Sequence, residues 1–190
     1  MFKARVWWVG SVAVVLGLAG CGGEKTTDDE QEALELGAKS TVNEATARLE
    51  PKSGSEVTGS ATFFLEGDKV TLHLNLQNLP PGLHAAHIHE IGDCSAEDGS
   101  SAGGHWNPLE MDHGKWNEAP FHLGDLGNVE AGEDGNGSLK LTTSMWTIAS
   151  GALDDVVGKS IVVHESHDDF ATQPTGAAGG RIACGVITTP

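Results

Sequence analysis

Between His84 and Asp125 the chain gathers side chains that bind metal. HAAHIHEIGDCSAEDGSSAGGHWNPLEMDHGKWNEAPFHLGD holds six of the nine histidines and one of the three cysteines, with almost no long apolar run. Neutral imidazole is the commonest side-chain ligand for zinc and copper, so histidine at this density in a glycine-rich segment points to metal chemistry. His87 and His89 stand two apart in an apolar context. On a strand such residues share a face, and both rings reach one ion. His105, His113 and His122 fall in loop-like sequence, with Asp125 three residues after the last. A loop of this kind wraps an ion, and binding offsets the entropy lost on ordering the loop.

Strands are needed to position these residues. Ala45 to Leu49 is short and alternating, and Glu56 to Leu65 is a longer candidate. Gly67-Asp68 marks a turn, after which Val70, Leu72, Leu74 and Leu76 alternate with Thr71, His73 and Asn75. Alternation with period two predicts a half-buried strand of an antiparallel sheet, and it places His73 on the polar side as a bystander. Pro80-Pro81-Gly82 breaks the chain before the HAAHIHE strand. Further strands are expected over Leu126 to Glu130, Ser138 to Thr143, Ile161 to Glu165 and Arg181 to Ile187. Helical periodicity is missing apart from a turn near Leu153-Asp154-Asp155-Val156. Many short strands separated by turn signals give an all-β domain, a sandwich or barrel carrying long metal-binding loops.

At 190 residues the chain suits one compact domain with appendages. Its formal charge of -16 argues against nucleic acid, whose backbone demands Lys and Arg. Residues 1–20 read as an export signal: Lys3 and Arg5 precede a continuous apolar stretch from Val6 to Ala19. That stretch is short of the roughly 20 residues a spanning helix needs and fits a signal h-region. It ends in Leu18-Ala19-Gly20-Cys21, which resembles the lipobox of bacterial lipoproteins, in which the cysteine is acylated. Residues 21–44 are polar and acidic and read as a flexible tether, spanning on the order of 25 Å. The domain is expected over 45–190. With lipid on Cys21, Cys94 and Cys184 remain as one pair, and export to an oxidising compartment makes a disulfide plausible.

HIHEIGDCSA, SAGGHWNP, FHLGDLGN, IVVHE and GGRIACGVI, in that order, resemble the copper–zinc superoxide dismutase family from about Thr46 to the C-terminus. The resemblance implies a Greek-key, immunoglobulin-like β-sandwich or barrel, with superoxide as substrate and oxygen and hydrogen peroxide as products. It assigns His87, His89, His105 and His164 to a redox-cycling copper, and His105, His113, His122 and Asp125 to zinc. The donor chemistry agrees. Three nitrogens and one oxygen make an ordinary closed zinc shell, while four imidazoles with an open position suit copper. His105 would then bridge both ions, which requires loss of both ring protons.

By the same resemblance, Asp168 links a copper-site histidine to a zinc-site histidine, and Arg181 stands at the mouth of the substrate channel. Cys94 and Cys184 form the bridge that ties the metal loop to the last strand, and His84 is a non-ligand beside the copper. His167 has no counterpart. Ala85 and Trp106 depart from the family's usual Gly and Phe, which bears on packing around the metals. The resemblance to the bacterial branch, with the lipobox, implies a place in the bacterial cell envelope, lipid-anchored and facing the periplasm or on the outer membrane. Homodimer and monomer both stay open. The alternative function is an exported copper- or zinc-binding module without turnover.

Overall fold

The computed structural model describes residues 42–190. The signal segment, Cys21 and the tether up to residue 41 lie outside the described residues. Eight strands follow: β1 (Glu44–Pro51), β2 (Thr58–Glu66), β3 (Lys69–Gln77), β4 (Gly82–His89), β5 (Asp125–Ala131), β6 (Gly137–Thr143), β7 (Ser160–His164) and β8 (Arg181–Val186). Each overlaps a segment expected from alternation or turn punctuation, with ends that differ by no more than two residues. The segment near Leu153 makes a turn, and the helical element among the described residues is one 3-10 turn at Ser100–Ala102.

Antiparallel ladders close the strands into a barrel in the order β1-β2-β3-β6-β5-β4-β7-β8. The crossing from β3 to β6, and the return of β7 beside β4, make it a Greek key. Two seams are thin. Strands β5 and β6 pair only at Ala131 and Gly137, while β1 meets β8 at Glu50–Cys184 and Pro51–Ala183. The barrel is therefore two four-stranded halves joined at narrow edges, which is why sandwich and barrel both describe it.

Alternation decides what goes inside. Val70, Leu72, Leu74 and Leu76 of β3 point inward and are at most 2% exposed. Burying each such side chain contributes about 1.5–3 kcal/mol. Phe63 and Trp146 meet edge to face, with centroids 5.9 Å apart, and the Trp146 indole N–H donates to Leu123 O. On the other half the alternation is lost. The last six residues of β4 and all of β7 are buried on both faces. Ala86, Ile88, Ile161 and Val163 fill the barrel, while Val162 and Cys184 pack outside it against Ala102 and Cys94. The long loops cover this outer face, and the histidines lie beneath them.

Candidate metal centre

His87 and His89 share the outer face of β4, as spacing by two requires, and a bulge after Ala86 shifts the register with β5 just before His87. His164 ends β7 beside a second bulge, and Asp125 opens β5. His105 joins β4 through an isolated bridge to His89. A three-way backbone junction fixes it further: Ile88 N–H donates to Gly124 O, Trp106 N–H to Ile88 O, and Gly124 N–H to Trp106 O.

Two donor groups result. One atom each from His87, His89, His105 and His164 lie within 4.8 Å of one another, and so do one atom each from His105, His113, His122 and Asp125. His105 belongs to both, and all of these residues are buried. His73 and His167 enter neither group. His84 packs behind His164, its Nδ1 3.0 Å from His164 O and its Nε2 2.9 Å from Pro80 O.

Every ring in the first group is held by one nitrogen and offers the other. His87 Nε2–H donates to Asp168 Oδ2 (2.8 Å), His89 Nδ1–H to Gly103 O (3.0 Å) and His164 Nδ1–H to Gly179 O (3.3 Å). His105 Nδ1 lies 2.9 Å from Asp125 Oδ1. The opposite nitrogens, His87 Nδ1, His89 Nε2, His105 Nε2 and His164 Nε2, are buried without a hydrogen-bond partner. Each such buried polar atom costs about 1–3 kcal/mol if left alone. Four buried, unpartnered ring nitrogens drawn together in this way fit a copper ion.

The second group fits zinc. Around Asp125 Oδ1 stand His105 Nδ1 at 2.9 Å, His113 Nδ1 at 3.0 Å and His122 Nδ1 at 3.2 Å. His113 Nδ1 is close to that oxygen yet not aligned for a hydrogen bond, and it too is unpartnered. Asp168 spans the groups: its second oxygen accepts from His113 Nε2–H at 2.9 Å. Asp168 is itself held by Asn128, whose amide accepts from Asp168 N–H and donates to Asp168 O.

The electrostatics separate the two groups. Burial, reinforced by neighbouring rings, pushes the pKa of His89 down to about 2 and that of His164 to about 3. His105 falls to about 4, with burial outweighing its hydrogen bond to Asp125. His113 goes the other way. Against its burial, the carboxylates of Asp125 and Asp168 raise its pKa to about 9. Despite their own burial, both carboxylates are held well below the usual range by hydrogen bonds from the rings. His89, His105 and His164 are thus neutral near pH 7, while in the second group a protonated His113 faces the ionised carboxylates of Asp125 and Asp168.

Arg181 opens β8 with its guanidinium donating to Gly99 O (2.6 Å) and Gly103 O (2.7 Å). Gly103 O also accepts from His89, so the arginine and a ring of the first group are fixed by one carbonyl. The Cys94–Cys184 disulfide forms and ties the loop carrying these glycines to β8. Ala85 and Trp106 are both buried, and Lys159 Nζ lies 5.9 Å over the Trp106 ring. Sequence reasoning passed over Asn128, Gln173 and the Gly99 and Gly103 carbonyls. Their roles depend on partners as many as 82 residues away, which no local pattern signals.

A Greek-key barrel carrying two buried donor groups that share one imidazole has the arrangement of a metalloprotein able to hold two ions side by side. Residues 57–187 match the copper/zinc superoxide dismutase family, and the chain belongs to it. These oxidoreductases use copper and zinc to dismute superoxide. Among solved structures, the chain is similar to the crystal structure of the clock protein EA4. The two are 35% identical with a TM-score of 0.70, over 79% of this chain and 96% of that one.

Proposed function

We propose that this chain dismutes superoxide at a copper ion held by His87, His89, His105 and His164, with zinc held by His105, His113, His122 and Asp125. We also propose that it does so in the bacterial cell envelope, anchored through lipid on Cys21. The observation that carries the first part is the set of buried, unpartnered ring nitrogens converging from both sides on His105. Bound there, copper supplies one-electron chemistry and zinc fixes charge and geometry.

The chain's own residues do the rest. Arg181 attracts the small anion and orients it, since its guanidinium is fixed by the Gly99 and Gly103 carbonyls, the second of which also accepts from His89. Partial burial lowers its pKa, opposed by the Asp98 carboxylate, and the group stays charged at neutral pH. With its Nδ1 on zinc, His105 Nε2 would be the ring position facing the first donor group that takes up a proton and passes it to the product. Asp125 keeps the Nδ1 side of the same ring in register. Asp168 keeps the rings of His87 and His113 from turning.

The test has two parts. Protein loaded with both metals should accelerate superoxide decay far above free solution, and the metal-free protein should not. No acceleration with both metals bound would contradict the catalytic reading. For the envelope, the mass of the mature N-terminus and membrane fractionation decide. A diacylated or triacylated Cys21 supports the anchor, and an unmodified cysteine in the soluble fraction overturns it.

A further inference from the structure

His113 is fixed by more than its ring, and one loop supplies the fixing. The segment from Asp168 to Gly176 folds into a tight turn. Asp169 accepts from Ala171 N–H, Thr172 N–H and Thr172 Oγ1–H, while Asp169 N–H donates to Gly176 O. Gly176 lies flat on the Asp168–His113 contact. A Cβ there would stand 1.9 Å from Asp168 Oδ1 and 2.7 Å from His113 Nε2. The turn presents Gln173 to the backbone of His113. His113 N–H donates to Gln173 Oε1 (2.8 Å), and Gln173 Nε2–H donates to His113 O (2.9 Å).

One carboxamide thereby satisfies both main-chain polar groups of a residue 60 positions away, as a neighbouring β-strand would. With Asp168 on the ring Nε2, every polar atom of His113 except Nδ1 has a partner from this one turn. The backbone sets where the ring starts and the carboxylate sets how it is rotated, and Nδ1 is left aimed at the donor group. Asn107 braces the chain two residues earlier in the same way, accepting from Met111 N–H and donating to Met111 O.

We infer that Gln173 is a positioning residue for the zinc end of the centre, clamping the His113 backbone so that its Nδ1 meets the ion without reorganisation. The inference rests on reading His105, His113, His122 and Asp125 as the zinc site. Gln173 touches neither substrate nor ion and acts only through His113. Partners of this kind typically carry about 10–100-fold in metal affinity.

The test uses the purified chain, as wild type, Gln173→Ala and Gln173→Glu, stripped of metal and checked for fold by circular dichroism. Zinc affinity is read by competition with a chromogenic chelator near neutral pH. Cobalt(II) placed in the zinc site reports the ligand field through its visible bands. In Gln173→Ala zinc affinity should fall about 10–100-fold with altered cobalt bands, while copper affinity stays within about threefold of wild type. Gln173→Glu keeps the side chain's volume and the acceptor for His113 N–H but loses the donor, so it should fall between the two. It also keeps the test readable should the alanine variant loosen the turn. Zinc affinity within about twofold of wild type and superimposable cobalt spectra in both variants would overturn the inference, even with a lowered melting temperature, because a simple loop staple behaves that way. A wild type that takes up no zinc would overturn the zinc-site reading as well, a result distinct from wild type and variants binding equally.

Discussion

Asp168 touches two rings at once, one in each donor group, through separate oxygens at 2.8 and 2.9 Å. In Asp168→Asn one of those oxygens becomes an NH2 facing an imidazole N–H, so one ring must turn. Zinc affinity should fall about 10–100-fold, read by chelator competition, and unchanged affinity would retire this role. The pKa shifts give a second expectation, for the metal-free protein. His89, His164 and His105 titrate lower when folded than unfolded, so the unfolded chain takes up protons first. Their neutral burial therefore destabilises the fold progressively as pH drops below about 6.5. His113 titrates higher when folded, so its contribution is whole below about 6.5 and is lost as pH rises through about 9. Melting temperature without metal should peak between these two losses, near pH 6.5, and decline on both sides. Zinc must displace the proton on His113, so zinc uptake at pH 7 should release it, measurable by titration calorimetry in buffers of different ionisation enthalpy. Asp168 was legible in the sequence because it sits in a segment resembling the family. Gln173 was not, since an amide in a polar loop looks the same whether it faces solvent or clamps a backbone.

At the scale of elements, strands were the readable part. The run Val70, Leu72, Leu74, Leu76 shows its face directly, because one side of β3 meets core and the other meets water. Strand β4 has no such contrast, since loops cover its outer face, and there the histidines, not the hydrophobic pattern, marked the strand. The closure of the barrel was not readable at all. It depends on pairings as remote as Glu50 with Cys184, and a seam of one or two pairs leaves no periodic trace. The junction of Ile88, Trp106 and Gly124 is likewise non-local, and it joins the strand of His87 and His89 to the loop bearing His105 and the start of β5. Gly124 has no room for a side chain, as a Cβ would lie 2.2 Å from Ile88 O. Gly124→Ala should destabilise the fold by about 1–3 kcal/mol or more and weaken both metals together. A melting curve and metal analysis check this, and loss of only one metal would argue against a shared junction.

The whole molecule is acidic, at -16, yet the substrate is an anion. Long-range repulsion must be overcome locally, and Arg181, held by the Gly99 and Gly103 carbonyls, is the group proposed to do it. Superoxide dismutase is itself a standard case of electrostatic steering. Arg181→Gln should lower kcat/KM by about tenfold or more, and the remaining rate should rise with ionic strength, because repulsion from the acidic surface then outweighs the attraction left at the site. A variant rate that falls with added salt would contradict this sign. The disulfide works at the same scale, closing a sequence separation of 90. Cys94→Ser with Cys184→Ser should cost about 4–5 kcal/mol on the chain-entropy model, read by denaturant unfolding, and should also release the loop whose glycines hold Arg181.

Sharing of His105 is the claim on which the rest turns. The direct measurement is anomalous X-ray scattering at the copper and zinc edges from crystals grown with both metals. The expected map has one copper peak against His105 Nε2 and the rings of His87, His89 and His164, and one zinc peak against His105 Nδ1 with His113, His122 and Asp125. A single peak, or two peaks of which one does not contact His105, would contradict it.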